Sequence, residues 1–234
     1  VLHDYLQKFG IGSKTGVGLP GEESGRLLDV KNWSGTTAPT VAFGQGYSLT
    51  AIQATSVFAT IANDGLRVAP TIIAGTSDSA GRYTPAPARS SVRVVSKETA
   101  QQMRLMMESV VSPDGTAPTA AKPGYRVAGK TGTAQRVDDS CHCYRGYTAS
   151  FIGFAPADKP KYVVSVTIQD PKGMHWGGLL AGPVFKKVMS FVLQSQHVAP
   201  TAAAQSFYPL TEAELRARIN TSASPTSSTK SKQG

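Results

Sequence analysis

The residues best suited to chemistry are Lys130-Thr131-Gly132-Thr133, inside the stretch Val127-Ala-Gly-Lys-Thr-Gly-Thr-Ala-Gln135. A lysine next to two hydroxyl residues, with a glycine between the hydroxyls, suits recognition of a carboxylate beside an exposed strand. The ammonium attracts at long range, the Thr131 and Thr133 hydroxyls donate directional hydrogen bonds, and Gly132 leaves room for a substrate backbone. A backbone N–H on such a strand can also face a developing oxyanion. The triplet alone is not diagnostic, because a second copy, Lys14-Thr15-Gly16, occurs in a Gly-rich loop rather than a strand.

Other residues could carry chemistry less directly. Cys141-His142-Cys143 has a plain reading as a turn, with a local disulfide and metal ligation as alternatives; three close ligands without a fourth make a poor zinc site. His175-Trp176-Gly177-Gly178 is expected as a loop at the mouth of the cleft, where Trp176 either contacts substrate or covers a sheet edge. Tyr147-Thr148 is open to the same two readings. No Gly-x-Ser-x-Gly elbow occurs, and Gly46-Tyr-Ser48-Leu-Thr50 fits the lead-in to a helix cap.

These residues need elements to hold them. Thr50 to Asn63 reads as a helix, with Thr50 and Gln53 in a capping-box pattern and Gly65 just past the end. Lys97 to Val111 reads as a second, N-capped by Ser96, with Met103, Met106, Met107 and Val110 on one buried face. A short helix runs from Leu2 to Phe9, and Ile11 to Gly25 is a loop. Tyr125 to Arg136, Tyr147 to Ala155 and Lys161 to Gln169 read as three strands whose short connections favour antiparallel pairing. A last helix is expected from Pro183 to Gln194, with Pro183 in its first turn and Val184, Val188, Phe191 and Val192 inward. Helices followed by a sheet and a covering helix make an α+β domain. Beyond Pro200 the composition turns to Ser, Thr, Ala and Pro; Ala213 to Ile219 could form a short helix, and Thr221 to Gly234 is expected to be disordered.

Composition removes other classes. With 40% hydrophobic and 17% charged residues in 234, the chain has enough apolar material for a core. No apolar run approaches the roughly 18 to 20 residues that span a bilayer. The net charge of +9 favours anionic partners, yet neither clustered basic residues nor an aromatic-basic platform supports nucleic-acid binding. The chain opens at Val1 without a charged and then apolar leader, so it is expected to begin inside a longer protein.

The KTGT stretch sits among blocks that together resemble the transpeptidase domain of class B penicillin-binding proteins. These are Phe43-Gly-Gln-Gly46 with Leu49-Thr50 and Gln53-Ala54, Ile61-Ala-Asn-Asp-Gly65, Gly115-Thr116-Ala117, Gly129 to Gln135, Ser150-Phe-Ile-Gly-Phe-Ala-Pro156, and Gly177-Gly178 with Pro183-Val-Phe185. They cover residues 1 to about 195. The resemblance implies a penicillin-binding and β-lactamase-like fold, with residues 1–198 as the C-terminal part of the domain and 199–234 as a tail.

The family works with three motifs, SxxK, SxN and KTG. The chain has no SxN, and its one SxxK, Ser227-Ser-Thr-Lys230, lies in the tail, so the nucleophilic serine and its lysine are expected upstream of Val1. Carried over residue by residue, Lys130, Thr131, Gly132 and Thr133 bind the substrate carboxylate, and the Thr133 N–H forms half of an oxyanion hole. The implied reaction is acyl transfer between peptidoglycan stem peptides ending in D-Ala-D-Ala, which β-lactams imitate. The resemblance implies no cofactor and no metal, and it implies an upstream membrane anchor, an extracytoplasmic site and a division-type role. A penicillin-sensing or non-catalytic domain of the same fold is the alternative.

Overall fold

The computed structural model describes residues 1–138, 140–201, 207–208, 211–213 and 216. Helix α1 (Leu2–Lys8) ends at Phe9, and Gly10 turns the chain out with φ +92°. A loop without helix or strand follows, as expected. Short helix α2 (Thr37–Ala42) leads to helix α3 (Ala51–Ala62). The capping box is formed: the Thr50 N–H donates to Gln53 Oε1 at 2.7 Å and the Gln53 N–H to Thr50 Oγ1 at 3.2 Å.

Two small antiparallel ladders then appear that periodicity does not announce. Strand β1 (Leu66–Val68) pairs with β4 (Ser91–Arg93), and β2 (Gly75–Ser77) with β3 (Tyr83–Pro85). Each strand has three residues, too short to show an alternation. Helix α4 (Lys97–Glu108) follows, capped by the Ser96 hydroxyl. Strands β5 (Ala128–Asp138), β6 (Cys143–Ala155) and β7 (Tyr162–Gln169) form an antiparallel sheet in that order, and helix α5 (Gly177–Ser195) closes the chain's main body.

The sheet is covered on both faces. On one, Phe185, Met189 and Leu193 of α5 pack with Phe151, Val127 and Ala155. The Phe151 and Phe185 rings meet edge to face at 4.7 Å. On the other, Phe154 and Ala128 pack with Ile61 of α3 and Met107 of α4. Each fully buried large apolar side chain contributes about 1.5 to 3 kcal/mol, so the two helix layers hold the sheet rigid between them.

Two expected helix faces are corrected. In α4, Met103 and Met106 are exposed, and Ala100, Arg104, Met107 and Glu108 point inward. Partners make this burial possible. Arg104 Nη1 donates to Asp64 Oδ1 at 2.7 Å and to the Ala62 carbonyl at 3.2 Å, at the end of α3. Glu108, 1% exposed, accepts both prongs of Arg126, from Nη2 at 2.6 Å and Nε at 2.9 Å. That hydrogen-bonded pairing also raises the Arg126 pKa.

Helix α5 begins at Gly177, six residues before the expected start, and Pro183 lies in its interior. Its buried face is Ala181, Gly182, Phe185, Met189 and Leu193, while Val184, Val188 and Phe191 face outward. Small residues define the contact, because they let the helix axis approach the strands more closely than valines would.

Cys141 and Cys143 are joined as a disulfide at the tip of the β5–β6 hairpin. This corrects the plain-turn reading, and it also removes both sulfurs as thiolate ligands. Beyond the last helix, Val198 reaches the core, the Thr201 N–H donates to the Gly124 carbonyl at 2.8 Å, and Ser109 Oγ donates to Tyr208 O at 3.0 Å. Ser227-Ser-Thr-Lys230, the segment from Thr221 to Gly234 and most of Ala213 to Ile219 lie outside the described residues.

Two measurements test these contacts. Arg126→Met leaves Glu108 buried without its partner and is expected to cost about 3 to 5 kcal/mol in urea unfolding, whereas Arg126→Met with Glu108→Leu recovers much of the loss. Thiol titration of the denatured protein is expected to find no free thiol before reduction and two after it.

Candidate functional site

Strand β5 forms one edge of its sheet among the described residues, with β6 on its other side. An edge strand presents alternate N–H and C=O groups away from its neighbour, so its backbone is available to a ligand as well as its side chains. The pairing is Lys130 with Ile152, Thr131 with Phe151, Gly132 with Ser150 and Thr133 with Ala149. Alternation puts Thr131 and Thr133 toward α5, and Lys130 and Gly132 toward the α3 and α4 face.

The N-terminus of α5 sits directly on these strands. A Cβ on Gly177 would collide with the Ser150 and Gly132 carbonyl oxygens, and one on Gly178 with the Thr116 carbonyl. Only glycines allow this approach. It brings the Gly177 N–H to the Thr133 hydroxyl oxygen at 3.4 Å, so a strand hydroxyl accepts from the first turn of a helix that has no side-chain cap of its own. Thr119 Oγ1 donates to the Gly178 carbonyl at 2.6 Å and ties the preceding loop to the same turn.

Both hydroxyls are thus held by their acceptor side. Thr131 Oγ1 accepts from Lys130 Nζ at 3.1 Å and lies 3.2 Å from Thr116 Oγ1. A hydroxyl has one hydrogen and two lone pairs, so Thr133, accepting from Gly177, keeps its hydrogen for a ligand. Partial desolvation lowers the Lys130 pKa from its ordinary value. A carboxylate arriving beside the ammonium would offset that cost.

An open cleft of about 600 Å³ lies along this strand, with Lys130 to Ala134 on one wall and Phe43 to Gln45, Tyr47 and Trp176 opposite or at the rim. Trp176 is exposed at the mouth, and His175 stacks on Tyr147 at 4.0 Å between ring centres. Burial raises the Tyr47 pKa. Residues 43–46 and Thr116 were not chemical candidates in the sequence and were marked only by the resemblance blocks, and Tyr47 entered only in the lead-in to a helix cap, since their contribution is shape and wall.

The first KTG copy is occupied internally. The Thr15 hydroxyl donates to Glu22 Oε1, joined by the Thr15 N–H at 2.6 Å and by the Gly16 N–H to Oε2 at 3.1 Å. The Thr15 hydroxyl is the largest cause of a lowered Glu22 pKa. The same residue types hold a carboxylate there, but it is the chain's own.

Comparison with known proteins shows the family of the chain. The profile described as "Penicillin binding protein transpeptidase domain" matches residues 1–190. Penicillin-binding protein PbpB of Mycobacterium tuberculosis is 43% identical over 206 residues, 84% of this chain and 30% of that protein. Peptidoglycan D,D-transpeptidase FtsI of Escherichia coli is 36% identical over 202 residues, 86% of this chain and 33% of that protein. The chain therefore spans about a third of the length of these curated relatives. Among solved structures, penicillin-binding protein 3 of M. tuberculosis, complexed with aztreonam, superposes with a TM-score of 0.81 at 41% identity, covering 89% of this chain and 48% of that one. Fold and sequence agree that the chain belongs to the transpeptidase-domain family of class B penicillin-binding proteins.

Proposed function

We propose that the chain supplies the carboxylate-binding wall of a serine D,D-transpeptidase that cross-links peptidoglycan. Lys130 draws in the terminal carboxylate of a D-Ala-D-Ala stem peptide, or that of a β-lactam. Thr131 and Thr133 donate hydrogen bonds to it, and Gly132 leaves room for the ligand backbone. The Thr133 N–H is one half of the oxyanion hole. The nucleophilic serine, whose own N–H is the other half, its lysine base and the SxN relay lie upstream in the whole protein.

In that protein the serine Oγ attacks the carbonyl carbon between the two D-Ala residues and gives up its proton to the base. The C–N bond breaks, D-Ala leaves as the protonated amine, and an acyl-serine remains. An amine of a neighbouring stem attacks the acyl carbon, forms the cross-link and returns the serine to its hydroxyl form. Residues 1–198 are the later part of this catalytic domain and residues 199–234 a tail. The whole protein works at the extracytoplasmic face of the cell membrane, in division, on an anchor encoded upstream. Among the described residues no helix is long and apolar enough to cross a membrane.

The observation that carries the reading is the pair of hydroxyls on an edge strand beside Lys130, each accepting a hydrogen bond from within the chain and both lining an open cleft. The names of the relatives, a D,D-transpeptidase among them, and a neighbour's complex with aztreonam support it.

Fluorescent penicillin is expected to leave no covalent band on the purified 234-residue chain and to label the protein expressed with its upstream coding region. A band on the shorter chain would sink the upstream nucleophile. In the longer protein, Thr133→Val is expected to slow acylation about 10- to 100-fold, the worth of one hydrogen bond to a charged group. Thr15→Val, in the internally occupied copy, leaves the rate unchanged.

A further inference from the structure

The cleft does not end at Ala134. A second cavity of about 490 Å³ continues from it, sharing Gly44, Gln45, Tyr47 and Ala134, and runs on along β5 to Val137 and Tyr144. Its far wall is built on the reciprocal backbone pairing of Arg26 with Ser48, at 2.9 and 3.0 Å. Across the residues lining the two cavities there are two charged side chains, Lys130 and Arg26, and both are cations. The Arg26 guanidinium has neither an acidic partner nor a hydrogen bond among the described residues, whereas Arg82, Arg104, Arg126, Arg136 and Arg145 each face a carboxylate.

We propose that the second cavity is a carboxylate subsite, with Arg26 reading an acidic side group on an extended peptide laid along the free edge of β5. This rests on the cleft being a stem-peptide site. The spacing follows from strand geometry. From Thr133 to Val137 is four residues, at most about 13 Å at roughly 3.3 Å per residue, since the strand register shifts between Gln135 and Val137. A peptide whose terminal carboxylate lies at Lys130, Thr131 and Thr133 therefore brings a residue three or four positions earlier level with the groove beside Arg26. Lys130 reads the end of the peptide, and Arg26 reads a charge within it. Arginine suits the second task because its planar fork can take a carboxylate through two parallel hydrogen bonds.

The test is a binding titration of the isotope-labelled 234-residue chain, followed by amide chemical shifts. It uses two short peptides that share a D-Ala-D-Ala end and differ three positions before the last residue, one with a carboxylate there and the other with its amide. The acidic peptide is expected to bind about five- to tenfold more tightly, the low end for a charge-assisted hydrogen bond in a solvent-open groove, with shifts at Gln135, Val137 and Tyr144. Arg26→Gln is expected to bring the ratio to about one, and Arg26→Lys to keep part of it. Equal binding of the two peptides, a preference that survives Arg26→Gln, or no binding of either peptide at millimolar concentration would each overturn the subsite. Penicillin labelling of the longer protein is read separately: labelling without acid preference removes the subsite alone, and acid preference without labelling removes the transpeptidase reading alone.

Discussion

The site depends on the distance between the first turn of α5 and strands β5 and β6. Gly177 and Gly178 have no Cβ, so the helix end comes down onto the carbonyl oxygens of Gly132, Ser150 and Thr116. One contact therefore joins the helix that covers one face of the sheet, the strand that carries Lys130 to Thr133, and the loop that carries Thr116. Larger residues at these two positions would lift the helix and open the cleft floor. The buried face of α5 continues the same logic through Ala181 and Gly182 before larger side chains take over at Phe185.

Much of the fold was legible where local chemistry and burial pull in the same direction. The Thr50 capping box, the Ser96 cap and the three long strands all follow from side chains acting on their own backbone or alternating across a sheet. The inward faces of α4 and α5 did not, for opposite reasons. In α4, charges that a hydrophobicity pattern sends outward are buried because Asp64 and Arg126 meet them. In α5, glycine and alanine score as weakly apolar, yet they are the contact residues, and the valines that score strongly remain outside. The short ladders between Leu66 and Arg93 carry too few residues for any period.

The site was legible in its chemistry and illegible in its walls. Lysine and two hydroxyls around a glycine suit a carboxylate, and the first copy of the triplet holds one, while for the second copy that role is the one proposed. The difference between them is occupancy: Glu22 reaches back to satisfy Thr15 and Gly16, whereas Thr131 and Thr133 lie on a sheet edge beside a cleft. The opposite wall, from Phe43 to Tyr47, comes from a turn some ninety residues earlier, and no spacing rule links the two. Arg26 belongs to the same group. Its proposed significance lies in having no acidic partner among the described residues.

Thr133 serves two masters. Its oxygen accepts the Gly177 N–H at 3.4 Å, a long bond with room to shorten, and that bond leaves the hydroxyl hydrogen unused beside the cleft that Thr133 lines. A carboxylate that takes that hydrogen draws electron density onto the oxygen, which then becomes a better acceptor for the helix. Successive hydrogen bonds polarise one another in this way, by about 10 to 30% per bond. On the proposed reading, a carboxylate in the cleft would tighten the seating of α5 and, through it, the core packed around Phe185 and Met189. The ligand and the helix become thermodynamically linked partners, each stabilising the other through a single hydroxyl.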